Sequence, residues 1–154
     1  MNSNRTGFTI VELLMVVFVL GLIMSTTISM FSGIKSIQTL EKDTENIASY
    51  LEKARNQTVN AKNNSVFSVR FASTTVTLFE GATFVNGSST NQVYTLTSGV
   101  TLQSYTFNPA TTTITFQKMT GKPSATGTIM YRLSDNASST RAVTIHGSGL
   151  IEVR

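Results

Sequence analysis

The chain has no cysteine and no tryptophan, one histidine and two prolines, and only 13% of its 154 residues carry charge. Without thiols there are no disulfide staples and no thiolate metal sites, so packing and hydrogen bonds alone must hold any folded part. A lone histidine, His146, excludes paired-histidine metal motifs. It stands before Gly147 at an expected strand end, which suits a partly exposed structural histidine. No glycine-rich phosphate loop or nucleophile elbow occurs. Nothing in the sequence brings Asp135 and Glu152 together as a hydrolytic carboxylate pair. The reading is non-enzymatic, with no cofactor and no metal. No proline precedes Pro109, so a long helix early in the chain meets no proline kink.

What the chain does have is concentrated near its start. Gly7-Phe8-Thr9-Ile10-Val11-Glu12 opens a long apolar run, and Leu13 to Ile34 are 22 residues without a charge. At about 1.5 Å per helical residue such a run crosses a hydrocarbon core of roughly 30 Å. A carboxylate at its mouth costs on the order of a few kcal/mol if it lies deep in lipid. Glu12 therefore calls for a compensating positive charge, and a neighbouring subunit is the obvious source. An ordinary secretory signal fits less well. Thr27-Ile28-Ser29 offers a loose cut site, but the run is too long and Glu12 sits badly in it. A simple one-pass anchor is the other plain alternative. Met15, Met24 and Met30 read as packing residues rather than a cofactor box.

The hexapeptide, the short leader with Arg5 before it and the helix behind it resemble the class III signal of type IV pilins and type II secretion pseudopilins. The resemblance implies a prepilin peptidase cutting between Gly7 and Phe8 and methylating the new Phe8 amine. Residues 1–7 are then the leader, with Arg5 on the cytoplasmic side. Residues 8–32 form the transmembrane and assembly helix, held in inner-membrane lipid before meeting other subunits and an assembly platform, with the head outside. Glu12 takes the place of the family glutamate that pairs with a neighbour's terminal amine. An ion pair in low dielectric offsets part of its desolvation cost. Two departures follow: Ser29 lies where many major pilins have proline, and the disulfide that closes many pilin heads has no cysteines here.

Further along, Ile34, Ile37, Leu40, Thr44, Ile47, Leu51, Ala54 and Thr58 recur at threes and fours. This predicts an amphipathic continuation of the helix over residues 33–64, its apolar face on the head, with Lys62-Asn63-Asn64 closing it. From Ser65 the period becomes two. Strands are expected over 66–71, 75–79, 92–96, 100–107, 113–117, 128–133, 142–146 and 150–153. Glu80-Gly81, Asn86-Gly87, Ser98-Gly99, Asn108-Pro109, Gly121 and Gly147-Ser148-Gly149 supply turns. The fold class is α+β: a long N-terminal helix packed on an antiparallel β head over 65–154, which is the pilin fold.

The end of the chain narrows the resemblance. Thr115-Phe116 with Gly121, Gly127-Thr128-Ile129, Arg141-Ala142-Val143-Thr144-Ile145 and Gly149-Leu150-Ile151 resemble the C-terminal pattern of H-type minor pseudopilins and T-type minor pilins (the GspH/FimT family). Residues 72–108 match nothing comparable. The resemblance implies a non-enzymatic filament subunit of a type II secretion or type IV pilus system, sitting at or near the tip. The rival is a DNA-binding minor pilin of natural transformation. Its candidate cations are Lys118, Lys122, Arg132, Arg141 and Arg154, but the tail has Glu152 beside its one arginine, so the relatives' basic cluster is unmatched. From residue 65 onward six cations face three acids, scattered rather than in a stripe, and DNA is the disfavoured partner.

Overall fold

The computed structural model describes residues 7–60 and 64–154, with residues 26–32 described by their backbone alone. The expected leader, apart from Gly7, lies outside those residues, as does Lys62. The chain divides into two compact units, Met1–Lys35 and Ser36–Arg154. One helix, α1, runs over Ile10–Val59. In the first unit its described side chains, from Ile10 to Met24, are apolar apart from Glu12 and Gly21 and exposed on every side. Among the described residues no helix is long and apolar enough to cross a membrane. The described side chains of this part are interrupted at residues 26–32, inside the uncharged run that continues in the sequence to Ile34.

In the second unit α1 buries Leu40, Asp43, Thr44, Ile47, Leu51, Ala54 and Thr58. Their spacing by threes and fours sets them on one stripe. The buried stripe begins at Leu40: Ile34 and Ile37, expected to share it, are exposed. The helix ends at Val59, short of the expected Lys62, and Asn64 adopts the left-handed backbone expected of a closing asparagine, φ 51°. Thr58 joins helix to head. Its hydroxyl donates to the Ala54 carbonyl and accepts from the Phe67 amide, both at 2.8 Å.

All eight expected strands form: β1 Phe67–Phe71, β2 Thr75–Glu80, β3 Gln92–Thr95, β4 Val100–Asn108, β5 Thr113–Thr115, β6 Thr126–Leu133, β7 Thr140–Ile145 and β8 Ile151–Val153. They make two antiparallel sheets, ordered β3-β2-β1-β5 and β4-β6-β7-β8. Alternation aims Phe67, Val69, Phe71, Val76, Leu78 and Ile114 from the first sheet, and Ile129, Tyr131, Val143 and Ile145 from the second, into one core with the helix stripe. With no disulfide available, this apolar core carries the head's stability.

Two of the C-terminal glycines are needed for close approach. Gly127 faces Phe107 across β4–β6, and a Cβ there would overlap the Thr106 carbonyl oxygen. At Gly149, φ 83°, a Cβ would lie 2.7 Å from Arg55 Nε. Arg55 threads between Gly149 and Gly121 and donates to the Gly121 carbonyl at 3.3 Å. The glycines of the C-terminal pattern thus make room for a helix arginine as well as permitting turns.

Candidate assembly site

Glu12 is built into the first turn of α1. Thr9 precedes the helix, and Leu13 N donates to Thr9 O at 3.2 Å, the first helical bond. The Glu12 amide donates to Thr9 Oγ1 at 3.3 Å, and the Glu12 carboxylate turns back to the Thr9 amide and hydroxyl, both at 3.5 Å. This is a capping box, Thr-x-x-Glu, in which side chains serve two amides that the helix leaves unpaired. Sequence reasoning weighed Glu12 only as a charge and missed Thr9, although the Thr-x-x-Glu spacing was the signal. The carboxylate also lies at the positive end of the helix dipole. Among the described residues no cation lies within ion-pair distance of it. Phe8 stands just before Thr9 and is 81% exposed. An amine created at Phe8 would sit one residue ahead of the cap.

The five candidate DNA-binding cations are dispersed. Lys118 Nζ donates to the Asn64 carbonyl and to Asn64 Oδ1. Lys122 lies exposed in the turn after β5. Arg141 stands opposite Tyr131, whereas Arg132 stands opposite Thr140, so the two point to opposite faces of their sheet. Arg141 donates to the Thr140 carbonyl at 3.2 Å and lies 3.9 Å from Glu41 of α1. Arg154 pairs with Glu152 at 2.9 Å, and His146 Nε2 lies 3.2 Å from the same carboxylate. Those two partners, Arg154 first, hold the Glu152 carboxyl below its usual range. What assembles at the tail is a compensated triad, not a basic stripe. Among the described residues no group of three potential metal-ligating side chains forms.

Comparison with known proteins decides the family. The family described as type II transport protein GspH matches residues 43–149, more than half of the chain. The chain belongs to the GspH family. The prokaryotic N-terminal methylation motif matches residues 2–28 of this GspH-family chain, a span that includes Gly7, Phe8 and Glu12. Two crystal structures of the type IV minor pilin FimU from Pseudomonas aeruginosa, in space groups P65 and P21, share its fold at 16% identity. They superpose with TM-scores of 0.56 and 0.55, over 75% of this chain and 92% and 87% of theirs. No curated protein matches the sequence significantly. The GspH-family chain is thus a minor pilin or pseudopilin subunit with the pilin fold. Membership implies in general terms a membrane-anchored subunit that meets other pilins and a prepilin peptidase.

Proposed function

We propose that this chain is a non-enzymatic minor subunit of a type II secretion or type IV pilus filament, cut between Gly7 and Phe8 and methylated on Phe8. Residues 8–32 serve first as a single-pass anchor in the bacterial inner membrane, with the amino terminus cytoplasmic and the head, residues 65–154, outside. An assembly platform then draws that helix into a bundle of sister helices. The observation that carries this reading is the all-round exposure of Ile10 to Met24 within the span that matches the N-terminal methylation motif. Among the described residues nothing covers so large an apolar surface, and lipid or other helices supply the covering. Identical surfaces stacked head to tail give an open filament. Within the bundle Glu12 pairs with the methylated amine of a neighbour, where low dielectric strengthens the attraction.

Two measurements test it. Coexpression with a prepilin peptidase should yield an intact mass lacking residues 1–7 and carrying one methyl on Phe8. Glu12→Ala and Glu12→Val should stay in the membrane yet be absent from sheared filaments. An uncut chain, or normal incorporation of either variant, overturns the reading.

A further inference from the structure

The loop between β2 and β3, residues 81–91, folds back over the outer face of the first sheet. Phe84 meets Phe79 edge-on with ring centroids 5.3 Å apart, burying Phe79 on the face opposite the core residues Val69 and Leu78. Phe84 also lies under Arg70: the guanidinium carbon stands 4.4 Å from its ring centroid. Arg70, Thr77 and Val93 form a cross-strand row on that outer face. A cleft of about 670 Å³ opens along the row, edged by Asn86, Ser88 and Asn91. Asn91 donates to the Val85 carbonyl at 2.8 Å and so fixes the shape of the rim.

This arrangement is prepared for an anion. Among the described residues no carboxylate pairs with Arg70, and none of the acids Glu80, Asp135 or Glu152 lines the cleft. Stacking on an aromatic face limits the rotamers of the arginine before any ligand arrives, which lowers the ordering cost of binding. Its planar fork suits a carboxylate. A phosphate, carrying more charge, would call for a second cation, and among the described residues Arg70 is the one cation that lines the cleft. Beside it β3 is the edge strand of its sheet, and Val93 is 56% exposed, leaving room for an extended backbone with an apolar side chain next to the acid.

We infer that this cleft binds a carboxylate-bearing peptide segment of a partner protein, the carboxylate on Arg70 and a flanking side chain against Val93. The site goes beyond helix-driven assembly and does not depend on it. The test is amide-resolved NMR of the full chain in detergent micelles, titrated with acetyl-Ala-Glu-Ala-amide, acetyl-Ala-Gln-Ala-amide and inorganic phosphate. The glutamate peptide should shift the Thr77, Asn86, Asn91 and Val93 amides saturably, with the glutamine peptide about tenfold weaker or more. Arg70→Gln should abolish the shifts, and Arg70→Lys, which keeps charge but not the fork, should weaken them several-fold. Unchanged amide signals from the second sheet show that both variants fold. Absent or non-saturable shifts, equal response to both peptides, tighter binding of phosphate, or full binding by Arg70→Gln each overturn the inference.

Discussion

At the scale of single residues, Glu12 answers two demands at once. It completes a capping box with Thr9 inside its own chain, and it carries the one negative charge of an otherwise apolar helix start. Glu12→Gln separates the two. Glutamine also closes a capping box, so the helix start should hold within about 1 kcal/mol while the charge disappears. If pairing with a neighbour's amine drives assembly, Glu12→Gln should be as absent from sheared filaments as Glu12→Ala; near-normal incorporation would assign the residue to capping instead. The tail triad makes a pH prediction. Glu152 is held below its ordinary value of 4.5 in the folded chain. Its contribution is therefore present above that value and fades as pH falls through it towards the folded value. Amide protection factors along β8, which are corrected for the intrinsic pH dependence of exchange, should fall on acidification below about pH 4.5, and Glu152→Gln should flatten that dependence. Such details were only partly legible in the sequence. Glu12 was visible because it interrupts an uncharged run. The Arg70–Phe84 pair was not, because the two residues meet through a loop that crosses a sheet. Nor was Arg55, whose seat is made by two glycines more than sixty residues further on.

Among the elements, the strands were legible because alternation and turn residues agree along the head; only their limits shift by a residue or two. The helix was legible by its period, yet the position of its buried face was not. The expected stripe started at Ile34, whereas burial starts at Leu40. Asp43 shows why. An acid on a helix reads as a solvated residue, since a buried carboxylate is costly unless well bonded. Here Tyr94 Oη donates to Asp43 Oδ1 at 2.7 Å, and Thr97 donates through its amide to Asp43 Oδ2 at 2.8 Å and through its hydroxyl to Oδ1 at 3.0 Å. The acid thus ties α1 to the segment joining β3 and β4, and Asn46 donates to the same tyrosine at 2.9 Å. Burial first, then the bond to Asp43, pushes the Tyr94 phenol up to about 12. Asp43→Ala would strand these donors and should destabilise the head by about 2–4 kcal/mol. The loss should show as faster amide exchange at Leu96 and Thr97 ahead of the second sheet; a variant with unaltered denaturant midpoint would refute the tie.

For the whole molecule, the division at Lys35 separates two solubility regimes. The unit Ser36–Arg154 has its own core, whereas the described apolar side chains of the first unit are uncovered. Expressed alone, Ser36–Arg154 should remain a soluble monomer by light scattering, while the full chain should need detergent. Aggregation of the shorter chain in the absence of detergent would show that the core needs the preceding residues. The lack of cysteine adds that reductant should leave its melting temperature unchanged. A helix start that is apolar on every side has a further consequence. It possesses no preferred azimuth: rotated about its axis, it offers every neighbour much the same surface. In the proposed filament such a rod would tell sister helices apart only through Glu12, so it would be a common coupling for different heads, and most of the choice of which subunit stands next to which would pass to the heads.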